Sequence, residues 1–259
     1  MEVRSLEKGD DYLKFMLGGS TPGYANTLRR LVVNRARTLA IEDVEIKTNN
    51  SSLYDEVLAH RLGLLPLKTD LSSYNEKDKC SCNGAGCAQC EVKLTLKGKG
   101  PGTLYASELK SQDPKIVPVY PETPIVKLQK EQEVELVATA VVGKGKDHAK
   151  WAPGHMWFTY KPNIKVNQNS KKFEEVKDKY PPRIFKNGKI DKNLINTPEL
   201  VDACEGVCDD VVKIDYDDTS FIFHLENWGQ LESKEMVKEA IETFNELIDD
   251  FSKQLKDLK

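Results

Sequence analysis

No stretch of this chain comes near the roughly 18 consecutive apolar residues that a membrane-spanning helix needs. The opening residues, MEVRSLEKGDD, hold no apolar signal region, which points to the cytoplasm rather than to export. A basic excess is missing too: 38 Lys and Arg stand against 41 Asp and Glu, a formal net charge of −3. Freestanding nucleic-acid binders carry a basic footprint, so a zinc-bearing nucleic-acid module is disfavoured. Histidine is scarce. The four copies, His60, His148, His155 and His224, are scattered and form no cluster of nucleophile, base and orienter, so an independent enzyme is disfavoured. The glycine-rich turn Gly98–Gly102 has no G-K-S/T and no helix after it, which excludes a phosphate loop. The six cysteines, in a reducing compartment, read as metal ligands before disulfides.

What the chain does have is length and helical periodicity. Its 259 residues suffice for one large or two ordinary domains. Thr21 followed by Pro22 is a helix start, because the hydroxyl can accept an orphan N–H and proline fits the first helical position. In the helix that follows, Tyr24, Leu28, Leu31 and Arg35 share one stripe with Val32 beside it, while Asn26, Arg29 and Arg30 point elsewhere. A second helix is expected from Ser233 to about Leu258. Val237, Ile241, Phe244, Ile248, Phe251, Leu255 and Leu258 are spaced 4, 3, 4, 3, 4, 3, a heptad seam over three repeats, widened by Met236, Ala240 and Leu247. A helix of roughly 25 residues is about 37 Å long, more than one face of a small domain needs. The outer part of the seam therefore predicts contact with another chain, and the inner half suits a core helix.

Between the helices the pattern is mostly period two. Glu2 to Leu17 reads as a hairpin turning at Lys8–Asp11, with Leu13, Phe15 and Leu17 on one face. Leu39–Lys47, Val92–Leu96, Thr103–Ser107, Val134–Val142 and His155–Tyr160 read as strands, and Asp55–Gly63 as a short helix stopped by Gly63 and Pro66. His60, in that helix, has no second ligand at metal spacing and reads as a packed or surface residue. Lys161–Asp210 has few apolar periods. Val211–Tyr216 and Ser220–Leu225 read as two strands with Asp217–Asp218 as a hairpin turn.

The strongest chemical signal is Cys80, Cys82, Cys87 and Cys90, spaced C-x-C-x4-C-x2-C. Four thiolates in so short a span can close a tetrahedral all-sulfur site, with Gly84 and Gly86 letting the chain turn tightly. Such a site has no spare position for substrate, so it is structural. Zinc ranks ahead of iron or disulfides, and the spacing departs from that of bacterial ferredoxins. Cys204 and Cys208, spaced C-x3-C, supply two thiolates where an iron–sulfur cluster takes four, so they read as free buried thiols and no cluster is expected.

Asn26–Arg30 and the run Asp55–Leu67, DEVLAHRLGLLPL, resemble the signature stretches of the D-subunit family of archaeal DNA-directed RNA polymerases. That family is similar to the third-largest subunit of eukaryotic RNA polymerase II and, more distantly, to the bacterial α N-terminal domain. A third stretch, Gly143–Gly154 (GKGKDHAKWAPG), agrees. The likeness covers residues 1 to about 160 and resumes near Thr219. It implies an α+β fold: a discontinuous dimerisation domain, a sheet plus two packed helices, over 1–46 and 160–259. A mainly β insert domain over 47–159, with a metal loop at 80–90, interrupts it. The resemblance implies a non-catalytic assembly platform that pairs with the small L subunit and holds the two large catalytic subunits, which carry the magnesium. DNA would be met only through the complex. The partner surface would be Tyr24, Leu28, Leu31, Val237, Ile241, Phe244, Ile248, Phe251 and Leu255. Arg29, Arg30, Lys146, His148, Lys150 and Trp151 would dock on a large subunit. The eukaryotic counterpart has a similar four-cysteine zinc loop. Some archaeal relatives carry a cluster within 161–210, and this chain lacks the cysteines for one.

Overall fold

A computed structural model describes residues 1–258. In chain order the elements are β1 (Glu2–Lys8), β2 (Tyr12–Gly18), α1 (Pro22–Arg35), β3 (Arg37–Asn49), α2 (Asp55–Gly63), β4 (Glu91–Lys99), β5 (Gly102–Tyr105), β6 (Lys110–Ser111), β7 (Pro124–Leu128), β8 (Glu133–Lys144), β9 (Gly154–Val166), α3 (Phe173–Val176), β10 (Phe185–Lys186), β11 (Lys189–Ile190), α4 (Pro198–Cys204), β12 (Val212–Asn227) and α5 (Ser233–Asp257). Several sheets and few helices make this a mixed α/β chain. Its contacts group into two units. One holds Met1–Glu7, Lys14–Asn26 and Trp157–His224; the other holds Lys8–Leu13, Thr27–Met156 and the chain from Leu225 on.

The first unit is built on a four-stranded sheet in the order β1–β2–β12–β9. Along β2 the alternation is as read: Leu13, Phe15 and Leu17 are buried and the residues between them are half-buried. Phe15 stacks on Phe223 at 5.0 Å, and Phe158 meets Phe221 edge-on at 5.5 Å. One expectation fails here. Val212–Asn227 is a single strand, without a turn at Asp217–Asp218. The Asp217 carboxylate accepts from the Thr219 N–H at 2.9 Å and its hydroxyl at 2.7 Å, so the pair is satisfied within extended backbone. Neither aspartate has the positive φ of a tight turn.

Residues 161–210 hold more structure than their composition promised. Phe173, Tyr180, Ile184, Ile190, Ile195, Val201, Cys204, Val211 and Val212 form a small core of their own. Most sit on helices and helical turns of three to seven residues and on a hairpin of two-residue strands, elements too brief to generate a periodic signal, and Val212 at the start of β12 completes the core.

The second unit centres on the sheet β3–β8–β4–β6. β8 is its middle strand, antiparallel to both β3 and β4, which is why Val134, Leu136, Ala138 and Ala140 are all buried. Leu39, Ala40 and Ile41 of β3 are buried in succession because both faces are covered: Leu39 and Ile41 pack in the main core, and Ala40 packs with Val141 and Trp151 on the other side. Leu58 and Leu62 of α2 join this core. Arg61 donates from its guanidinium to the backbone carbonyls of Ile125 and Pro124 at 2.9 and 2.6 Å, and His60 is exposed. β5 stops at Tyr105, earlier than expected, because the Glu108 carboxylate accepts from the Tyr105 N–H at 2.9 Å and winds Ala106–Glu108 into a helical turn.

Candidate assembly surface and metal centre

The long helix α5 starts on a reciprocal cap. The Glu232 carboxylate accepts from the Glu235 N–H, and the Glu235 carboxylate accepts from the Glu232 N–H at 3.3 Å. The face α5 turns to its own chain is narrow: Met236, Glu239, Ala240 and Thr243 are buried. The heptad seam lies elsewhere on the helix. Val237 and Phe244 are half-buried, and Ile241 and Ile248 are exposed. Phe251 is 61% and Leu255 50% exposed, and every described residue from Leu247 on is exposed. The inner half of the seam is therefore not core, since Val237 and Phe244 are half-buried and Ile241 is open; the core positions are the flanking Met236 and Ala240, while Leu247, grouped with them on the sequence, is exposed. A mid-polar helix of this length that leaves Ile, Phe and Leu on one open stripe carries a contiguous apolar surface of the kind that marks an interface.

Opposite the seam, α5 is held by charge. Arg37 of β3 donates from its Nε to the Glu239 carboxylate and lies 3.7 Å from Glu246. Lys79 reaches Glu246 at 2.6 Å and Glu76 at 3.4 Å, and Lys144 reaches Glu76 at 2.5 Å. The Thr243 hydroxyl adds a hydrogen bond to the Arg35 carbonyl at 3.4 Å. Lys79 holds the Glu246 carboxyl below its usual range, against a smaller effect of burial. Of these charges only Lys144, in the basic stretch Gly143–Gly154, stood out on the sequence. Two glutamates seven apart on α5, off the apolar seam, were the available signal.

Helix α1 begins as read, with the Thr21 hydroxyl accepting from the Tyr24 N–H at 3.3 Å. Of its apolar stripe only Tyr24 is open. Leu28 and Leu31 are 8% and 9% exposed, already covered within the chain. Arg29 is half-buried and Arg30 exposed.

The loop between α2 and β4 brings the four cysteines together. Sulfur separations are 3.5 Å for Cys80–Cys87, 3.6 Å for Cys82–Cys90 and 3.8 Å for Cys87–Cys90, and all four Sγ atoms lie within 4.8 Å of one another. A tetrahedron of metal–sulfur bonds of about 2.3 Å has edges of about 3.8 Å, so the donor set fits one ion. Backbone turns shape the loop: Asn83 N–H donates to the Cys80 carbonyl, and Cys90 and Glu91 N–H groups to that of Cys87. Gly86 has φ +89°, and a Cβ there would meet the Glu91 carboxylate, itself paired with Lys77 at 2.6 Å. Burial pushes the Cys90 thiol up to about 12, with Cys82 and Cys87 adding to the rise. Burial also opposes the Cys82 thiolate, but hydrogen bonds from Cys80, Cys90 and the Gly86 backbone prevail and bring that thiol down to about 6.

The remaining predicted residues divide. Lys146 and His148 are exposed. Lys150 is engaged at home: its Nζ binds Glu42 and the Ile41 carbonyl and sits 4.4 Å over the Trp151 ring. Trp151 is buried and donates from Nε1 to the Val141 carbonyl at 3.2 Å. These two residues brace the loop that carries Lys146 and His148. Cys204 is fully buried and its thiol is raised by burial; Cys208 is half-buried, and its carbonyl accepts from the Tyr180 hydroxyl at 3.3 Å. Among the described residues no helix is long and apolar enough to cross a membrane.

Residues 44–155 match the profile of the RNA polymerase Rpb3/RpoA insert domain. Whole-chain relatives are DNA-directed RNA polymerase subunits Rpo3. That of Methanosarcina acetivorans is 40% identical over 247 residues, covering 93% of this chain and 92% of the relative. That of Picrophilus torridus is 37% identical over 95% of this chain and 98% of the relative, and that of Pyrococcus furiosus 32% identical over 100% and 98%.

Proposed function

The chain belongs to the Rpo3 family of DNA-directed RNA polymerase subunits, and from that premise we propose that it is the non-catalytic assembly platform of an archaeal polymerase, working in the cytoplasm. Its seam on α5 takes the small L subunit. The resulting pair holds the two large subunits, to which magnesium and DNA belong. The observation that carries this reading is the uncovered apolar stripe Ile241–Ile248–Phe251–Leu255 on a helix otherwise anchored to its own chain. Obligate interfaces are large and apolar, and such a stripe is one half of one. Helix α1 joins through Tyr24, with Leu28 and Leu31 stiffening it from within. Arg29, Arg30, Lys146 and His148 form the docking surface for a large subunit, and Lys150 and Trp151 shape the loop beneath.

In this reading residues 1–46 and 160–259 make the dimerisation domain and 47–159 the insert, a division supported by the profile match at 44–155. The four thiols hold one zinc ion, which closes the loop and serves no reaction, because four protein ligands leave no position for substrate. Cys204 and Cys208 carry no iron–sulfur cluster. Co-expression with candidate small subunits, followed by gel filtration, tests the assignment. A stable 1:1 pair with a subunit of the same polymerase is expected, and a chain that stays alone beside every such subunit overturns it.

A further inference from the structure

The charges behind α5 form one continuous chain: Lys144, Glu76, Lys79, Glu246, Arg37 and Glu239, alternating in sign. At about 100° per residue, Glu239 and Glu246 share one side of α5, and the seam lies nearly on the other. The helix is thus gripped at two points one heptad apart. One grip, Arg37, comes from the rigid sheet. The other, Lys79, comes from the residue that directly precedes the first cysteine of the metal loop. Lys79 ends a single helical turn, Lys77–Lys79, fixed by its own N–H on the Glu76 carbonyl at 3.1 Å and by the Cys80 N–H on the Lys77 carbonyl at 3.4 Å. The position of its side chain is therefore set by the same backbone that carries Cys80. Glu76, the other partner of Lys79, is buried and pairs with β8 through Lys144.

We infer that the four-cysteine loop controls how firmly α5 is held, and through it how well the seam is presented: a filled loop keeps Lys79 on Glu246, and an empty loop lets it go. The regulatory consequence rests on the assembly role proposed above; the mechanical link does not. Four thiols this close stay together when a cation neutralises the charge of their ionised forms. Without it the loop relaxes, Lys79 moves with Cys80, and Glu246 keeps only the 3.7 Å contact to Arg37. Arg37, Glu239 and Thr243 still hold the first turns, so the helix loosens from its middle outward, where the seam is longest.

Amide hydrogen exchange on the full chain tests the link, comparing zinc-loaded protein with protein stripped by a chelator. Stripping should speed exchange in 74–91 and, about three- to fivefold, in 240–250, the size that half-exposed ion pairs give. Lys79→Met and Glu246→Gln leave the cysteines intact and should keep the metal. In both variants 240–250 should exchange at the faster rate whether or not zinc is bound. If stripping opens 74–91 while 240–250 keeps its rate, or if Lys79→Met still responds to zinc in 240–250, the link is wrong. Capture of the small subunit separates the two readings. Equal capture by loaded and stripped wild type overturns the regulation and leaves the assembly role standing. No capture by either, with the exchange pattern as expected, overturns the assembly role and leaves the link.

Discussion

Phe251→Asp divides the stability of the free chain from its power to assemble. In the free chain Phe251 is 61% exposed and no described neighbour buries it. Replacing it there removes little packing, and phenylalanine and aspartate differ slightly in helix propensity, so the chain should lose at most about 0.5 kcal/mol. In the assembled state the sums differ. Burying a phenylalanine contributes about 2–3 kcal/mol, and an unpaired carboxylate in its place costs several more. A total of about 5 kcal/mol weakens association by more than about a thousandfold. Met236, on the inner face of the same helix, is fully buried, and Met236→Ala should cost the free chain about 2–5 kcal/mol by leaving a cavity. Thermal unfolding of each free variant, beside co-purification with the small subunit, reads both quantities. Phe251→Asp should unfold with the wild type and lose the partner, and Met236→Ala should unfold earlier. A Phe251→Asp chain that is itself destabilised by several kcal/mol, or that brings down the small subunit in full yield, refutes the assignment of the seam.

Three further outcomes are expected. Purified protein should carry about one zinc per chain, and Cys87→Ser should release it and loosen 74–91, because the binding energy of a structural ion is folding energy; iron with inorganic sulfide in the metal analysis would contradict this. Asp70 has its carboxyl held well below the usual range, first by Lys115 and then by the Ser72 and Ser73 hydroxyls. Its stabilisation is full above the unfolded value of about 4 and is lost as pH falls from there through the folded value, so the stability gap between wild type and Asp70→Asn should be constant above about pH 4, shrink below it and close only once the pH is under the folded value. The Cys204→Ser/Cys208→Ser chain should keep its metal content. It should lose about 1–3 kcal/mol for the hydroxyl buried at position 204, read by urea unfolding; loss of metal would tie the pair to a ligand site.

Legibility followed local signal. The capped start of α1, the alternation of β2 and the four-thiol spacing each rest on a few neighbouring residues, and each stands in the structure where it was read. Residues 161–210 were opaque because their core is assembled from helices and turns of three to seven residues and strands of two, each too short to show a sustained period. The false turn at Asp217–Asp218 came from composition, since paired aspartates favour turns, and lost to the continuous pairing of β12 within its sheet.

By itself the sequence determined that α5 would be a long amphipathic helix, that four cysteines would meet, and that the chain resembles a polymerase subunit. Those properties depend on spacing, and spacing is written in the chain. The tertiary structure alone decided which side of α5 is covered and which is open. Periodicity marks an apolar stripe without saying who buries it, and here the chain buries Met236, Ala240 and Thr243 while leaving Phe251 and Leu255 bare. It also decided that Lys79, Glu246 and Arg37, far apart in sequence, touch. Pairing of charges over such separations is set by the fold that brings them within a few ångströms, and no local pattern encodes it.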